Sequence, residues 1–281
     1  GGVAKHYLPL PRTLTQVMDP GIARAGFRIR SDQPIAAFMF NPLERLEDPT
    51  DPPVTSADAA LIVPATSLGT RYVAITASDY GLESRPPFVT VVATHDDTEI
   101  VVTPTETIVS QAPPMTLRAG VATTVRLDAF DVLNLEAPSA AGVRRDLSGT
   151  RVESLVHPIA VFAGNRCARI PDELGACDHV EAQLSPIDAW GDRFVVTKLA
   201  DRGGEPDRIK IVALEDFTEL VFDPPRFAPV MLAGTVWEVD VTEAFALTAS
   251  QPVLLAQMMV SPALAAGPSP FPVAEICRHD G

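Results

Sequence analysis

The chain has 281 residues and a formal charge of −14, and 46% of it is hydrophobic. That length and apolar content suit packed cores and exclude a disordered chain. The balance of 36 acidic against 22 basic side chains excludes nucleic acid and anionic membrane as partners, since both demand a basic footprint. Apart from Lys5, Lys198 and Lys210 those basic residues are arginines, a usage that fits a GC-rich genome and carries no functional weight. A membrane span needs about 18 unbroken apolar residues. The nearest stretch, Pro252 to Gly267, is interrupted by Gln257, Ser261 and Pro262. No signal-peptide pattern stands at Gly1, as expected of a processed or truncated piece.

In chain order, "GGVAKHYLPL" reads as a glycine-opened strand and "FRIRSDQPIAAF" (from Phe27) as the strand pair that ends a β unit. "EDPTDPPVTS" (Glu47 to Ser56) is a proline-rich linker. "SLGTRYVAIT" (Ser67 to Thr76) leads a strand through an aromatic residue. "TVVATHDDTEIVVTP" (Thr90 to Pro104) is expected to be a hairpin, because two runs rich in Val, Ile and Thr flank an Asp96-Asp97 corner. "AGVATTVRL" (Ala119 to Leu127) alternates as a strand, and "DAFDVLNLEA" (Asp128 to Ala137), of mixed periodicity, is read as a strand too. "HPIAVFAGNRC" (His157 to Cys167) is an apolar strand entered through proline and left through Gly164 and Asn165.

The same signals then return. "AWGDRFVVTK" (Ala189 to Lys198) matches "SLGTRYVAIT"; "KIVALEDFTELVFDP" (Lys210 to Pro224) repeats the expected hairpin; "AGTVWEVDV" (Ala233 to Val241) matches "AGVATTVRL"; and "QPVLLAQMM" (from Gln251) matches both "HPIAVF" and "QPIAAF". The 27 prolines leave few windows for long helices. The fold expected is all-β: tandem antiparallel β-sandwich-like modules built from an internal repeat of about 120 residues. The division expected is 1–60, the back half of an incomplete module plus linker; 61–185, a β module; 186–262, a second, shorter module; and 263–281, a Pro-rich tail.

Cys167 and Cys177 bracket an irregular loop holding Pro171 and Gly175, without the C-x-x-C spacing of zinc or redox sites. A local disulfide is the preferred reading, and two buried thiols are the alternative. Such a bridge would stabilise the fold by about 2–3 kcal/mol and place the chain in an oxidising compartment. Cys277 is left over near the end.

One long block stands out: Asp146, Ser148-Gly149-Thr150, Ser154, Pro158 to Phe162, Gly164-Asn165, Cys167, Cys177-Asp178-His179, Gln183, Pro186, Trp190-Gly191 and Phe194. In these residues the chain resembles the IgGFc-binding protein N-terminal domain family, and the two upstream strand regions add to the likeness, which runs over about residues 1–260. The resemblance implies an extracellular binding or adhesion module in which the Cys167 to Cys177 bridge is a family feature, and the arginine-rich usage points to a bacterial member. It transfers no ligand-binding residue. The family's opening strands are missing before Gly1, and the tail from Ser261 lacks its closing motif.

No catalytic pattern competes with that reading. His95, Asp96 and Asp97 are adjacent, so on a strand they point to alternating faces and cannot converge on one atom. Cys177, once bridged, is neither nucleophile nor metal ligand. His179, with Asp178 and Glu181 beside it, is read as a loop residue hydrogen-bonded to backbone, because no further ligand stands at zinc spacing. Phosphate-binding, G-x-S-x-G and H-E-x-x-H motifs are absent. Calcium receives a small allowance from acidic turns at Asp48, Asp51, Asp58, Asp96, Asp97 and Asp216, which carry no EF-hand spacing; no other cofactor is expected.

The insertion from Arg166 to Pro186, absent from the other copies, is where binding is expected, since loops on a rigid scaffold carry it. Its candidate contacts are Arg166, Arg169, Asp178 and His179. The expected protein is secreted or at the cell surface and binds a protein or glycan without catalysis. The alternative is a structural spacer touching neighbouring modules of a larger surface protein.

Overall fold

The computed structural model describes residues 19–41, 58–78, 86–138, 142–172, 177–200 and 206–261. Its regular structure is β throughout, apart from single 3-10 turns at Ala65–Ser67 and Ile187–Ala189. The first four strands are β1 (Gly21–Arg24), β2 (Ala37–Asn41), β3 (Asp58–Ile62) and β4 (Arg71–Val73). Then come β5 (Pro87–Ala93), β6 (Thr98–Thr103), β7 (Ile108–Gln111), β8 (Pro114–Leu117), β9 (Thr123–Leu127) and β10 (Asp131–Glu136). β11 (Arg151–Ser154), β12 (Ile159–Ala168) and β13 (Asp178–Gln183) complete a first body, and β14 (Gly191–Val196), β15 (Asp207–Ala213), β16 (Leu220–Asp223), β17 (Val236–Val241) and β18 (Phe245–Met258) form a second.

The first body is a sandwich of a five-stranded sheet, ordered β1-β10-β5-β12-β13, on a four-stranded one, ordered β4-β11-β6-β9. In β5 every second residue is buried, the period that puts one face of a strand on a core. Val89, Val91 and Ala93 thereby belong to one apolar cluster with Ile100, Val102 and Leu127 of the facing sheet. Each such buried Val, Ile or Leu side chain contributes about 1.5–3 kcal/mol of transfer free energy. Tyr72 joins the sheets: its hydroxyl accepts from the Gly69 N–H at 2.9 Å and donates to the Ile159 carbonyl at 2.8 Å. Burial pushes its pKa up, with the Gly69 N–H opposing.

β1 lies on the edge of that five-stranded sheet, paired with β10, so residues 21–24 lie with the first body. β2 and β3 pair with each other. β3 is held to β13 through Asp58 Oδ2, which accepts from the Glu181 N–H at 2.7 Å, and through Gln183 Oε1, which accepts from the Val63 N–H at 2.9 Å.

The second body uses fewer strands because β18 serves twice. Its first half lies between β14 and β16, and its second half pairs with β15, which also pairs with β17. Ile209, Ile211, Phe222, Phe245 and Leu247 fill its core. The pairing scheme matches that of the first body. β5 lies between β10 and β12 as β15 lies between β17 and β18, and β11 lies between β4 and β6 as the start of β18 lies between β14 and β16.

Two expectations change here. The stretches at 90–104 and 210–224 are not hairpins: β5 and β15 never pair with the strands that follow them, for β6 lies in the facing sheet and β16 pairs with the first half of β18. The first connection is an arch between sheets and the second an arch between the two arms of the sheet that β18 spans, each turned by a left-handed residue, Asp97 at φ 54° and Phe217 at φ 58°. Thr98 and Thr218 fasten the two arches alike, each hydroxyl donating over 2.7 Å to a carbonyl three residues back. Nor do the glycine-opened stretches correspond by pairing: β9 lies beside β6, whereas β17 lies beside β15, the place β10 holds.

The bodies meet along a seam with its own apolar cluster, in which Val73 and Ile75 pack with Val212, Trp190, Val236 and Leu254. Beside it Lys210, 1% exposed, reaches out of β15. Its ammonium donates to the Thr76 carbonyl at 2.9 Å and to Asp146 Oδ2 at 2.6 Å, and lies 3.2 Å from Glu238 Oε2. Arg208 bridges Asp172 and Glu238, and Arg144 reaches the same two carboxylates.

Candidate functional site

β12 is a long strand because Ile159–Ala168 alternates apolar residues until Gly164 and Asn165, where the ladder to β13 shifts register. Gly164 is required by close approach: a Cβ there would lie 1.9 Å from the Val180 carbonyl oxygen. Asn165 is fully buried; its amide donates to the Ala77 carbonyl at 3.0 Å and its oxygen accepts from the Cys167 N–H at 2.7 Å. These bonds aim the chain into a loop that the Cys167–Cys177 disulfide closes.

The four residues expected to form a binding surface on this loop do not share one. Arg166 turns back along the sheet and forms an ion pair with Glu136. His179 is 8% exposed, with its Nε2 3.1 Å from Glu181 Oε2 and its ring stacked on Phe88. Arg169 faces the seam beside Asp172, Arg208 and Lys210. Asp178 opens β13, opposite Ala168. The physical reason is strand alternation: His179 and Glu181 fall on one side of β13, where the His179 ring stacks on Phe88 of β5 and its Nε2 meets Glu181 Oε2.

Arg166 instead borders a hollow of about 320 Å³ at the end of the five-stranded sheet, lined by Pro20, Pro86, Val109, Ala137 and Pro138, with Glu136. Glu136 also accepts from the Asn134 amide at 3.1 Å. Burial pushes its carboxyl pKa up, and the Arg166 guanidinium and Asn134 oppose the rise. The hollow therefore offers rigid apolar walls and one buried, charge-paired carboxylate. The sequence carried a signal for it: Asn134 and Glu136 stand two apart in an otherwise apolar strand, so both face one side of the sheet.

Other chemistry-bearing residues are structural. Asp96 and Asp216 each accept a backbone N–H across their arch, from Ala129 at 3.0 Å and Ala233 at 2.9 Å. His95 stacks on His157 at 4.5 Å and shares a 2.8 Å hydrogen bond with Thr94. Among the described residues no three His, Cys, Asp or Glu side chains converge as a metal site; Asp48 and Asp51 lie outside those residues. No helix among them is long and apolar enough to cross a membrane.

Two sandwiched sheets, a second smaller β body and a disulfide-closed loop make this a disulfide-braced β-sandwich protein. The chain belongs to the IgGFc-binding protein family, whose profile matches residues 58–271. It is also similar to the human IgGFc-binding protein, 29% identical over 148 residues, which are 52% of this chain and 2% of that protein. The chain thus spans a small fraction of that relative's length. No solved structure matches it.

Proposed function

We propose that this chain is a non-catalytic binding or adhesion module, secreted or held at the cell surface, that recognises an extracellular protein or glycan. The observation that carries the reading is membership of the IgGFc-binding protein family over residues 58–271. The modular division, with bodies at 61–185 and 186–262 as copies of one β unit, is part of the same proposal and is supported by their common pairing scheme.

The contact surface we assign is the hollow at Glu136 and Arg166. Its walls are prolines and short apolar side chains, which lose little entropy on binding, and its polar groups are already paired. The shape suits an apolar side chain or sugar face.

The test is binding of the folded chain to immobilised IgG Fc, mucin glycoproteins and glycans, with and without calcium. Val109 is 52% exposed at the rim, so Val109→Arg fills the hollow without touching the core. A saturable signal that weakens at least tenfold in Val109→Arg, at unchanged melting temperature, supports this surface. An unchanged affinity moves the site elsewhere, and silence across the panel favours a structural spacer.

A further inference from the structure

The seam shows how one body seats another, and one station of that seat, the valine of the edge strand, recurs open on the second body. In the four-stranded sheet of the first body, Tyr72 lies opposite Val152, which lies opposite Val102. In the second body, Phe194 lies opposite Leu247, which lies opposite Phe222. Tyr72, Val152 and Val102 point into the first core, and Phe194, Leu247 and Phe222 into the second. The next residue along the edge strand, Val73 or Val195, therefore takes the same station on the outer face.

The two stations differ in one respect. Val73 is 4% exposed, covered by Val212, Val236 and Leu254 from the outer face of the β15-β17-β18 sheet. Val195 is 83% exposed. The surface around it is small and open: Val195 lies beside Ala246, and Val221, 65% exposed, faces Thr248 on the same side. The weight lies in the match of stations: the position that is buried under another body at Val73 is bare at Val195.

We propose that the outer face of the β14-β18-β16 sheet is the seat for a further β module of the same kind, docked head to tail through the outer face of its own β15-type sheet. The established seam is the template. An apolar patch such as Val212, Val236 and Leu254 settles on the valine of the edge strand, and polar side chains close the rim. A second copy of this chain does not supply that patch from its second body, because those residues are already seated on Val73. The occupant is the next module of a longer array. This goes beyond the ligand reading above and uses a different surface, so either can fail alone.

The experiment places Val195→Cys in a Cys277→Ser background and measures its rate of reaction with a thiol reagent in two chains. One is the present chain; the other carries a second copy of residues 178–261 after Gly281. Docking predicts labelling at least tenfold slower in the lengthened chain, and recovery of the fast rate when Val212→Asp is introduced into the appended copy alone. Equal rates in the two chains, with the appended copy folded by circular dichroism, overturn the proposal.

A second measurement needs no appended fold. Val73→Arg unseats the β15-β17-β18 face within the present chain and offers it to Val195 of another molecule. Sedimentation should then show association in Val73→Arg and monomers in the Val73→Arg, Val195→Arg double variant. A monomeric Val73→Arg chain, or association that survives Val195→Arg, overturns the proposal.

Discussion

Lys210 of the second body and Asp146 of the first meet at 2.6 Å, and the ammonium is almost wholly buried. Burial alone would raise the Asp146 carboxyl pKa, but the Lys210 charge and hydrogen bonds from Lys210 and Ser148 outweigh it and hold the group below the usual carboxylate range. The pair ties the two bodies together, because its halves come from different bodies while each is also held within its own, Lys210 by Glu238 and Asp146 by Thr76 and Ser148.

Lys210→Met should therefore leave Asp146 and Glu238 facing each other across an apolar gap. Breaking a buried pair on one side costs on the order of 3 kcal/mol, read here as a lowered urea midpoint. Removing both partners with Lys210→Met and Asp146→Leu should recover part of that loss, which a double-mutant cycle measures.

The same pair sets an acid dependence. With the folded pKa of Asp146 below its unfolded value of about 3.9, its contribution is full above that value and is lost as pH falls through the folded one. The stability gap between the natural chain and Asp146→Asn should be constant above about pH 5 and should close in stronger acid. Denaturant melts across that range check it; a gap that widens in acid contradicts the assignment.

Replacing Cys167 and Cys177 by serine should cost about 2–3 kcal/mol, the loop-closure entropy of a short loop. The loss should appear as a lower unfolding midpoint, with faster amide exchange confined to β13 and the end of β12.

Gly164→Ala forces a methyl group into the Val180 carbonyl. Overpacking of this kind costs about 1–3 kcal/mol. Exchange of the Ala182 and Leu184 amides, which face β12, should accelerate, while that of β5, on the other side of β12, should hold.

Phe217 is 74% exposed and held in the left-handed region. Phe217→Gly should stabilise the chain by about 0.5–1 kcal/mol, as relief of that backbone strain outweighs the greater chain entropy of glycine when unfolded. A rise in melting temperature is the readout.

The strands were legible because β-branched alternation and proline entries mark them directly, and the cysteine bridge because both partners lie on one short loop. The arches were not. A run of valines, an Asp corner and a second run look the same whether the strands pair with each other or part into facing sheets; only the packing of Val91 toward Ile100 across a core decides it. The seam was hidden for a similar reason. Arg208 and Lys210 alternate with Ile209 and Ile211 as if on a solvated face, and the acids that meet them lie far away in sequence. His179 misled because a histidine after a cysteine loop suggests an exposed tip, whereas strand pairing carries it inward against Phe88.

β18 carries one more consequence. The first body divides the corresponding path into β11 and β12, with Leu155 and Val156 exposed between them, so no single strand there serves both sheets. In the second body a single covalent rod is laced through both layers, and a tear begun at β16 runs along it into β15. Under tension, or beside a protease, that body is a fuse that either stays whole or goes at once.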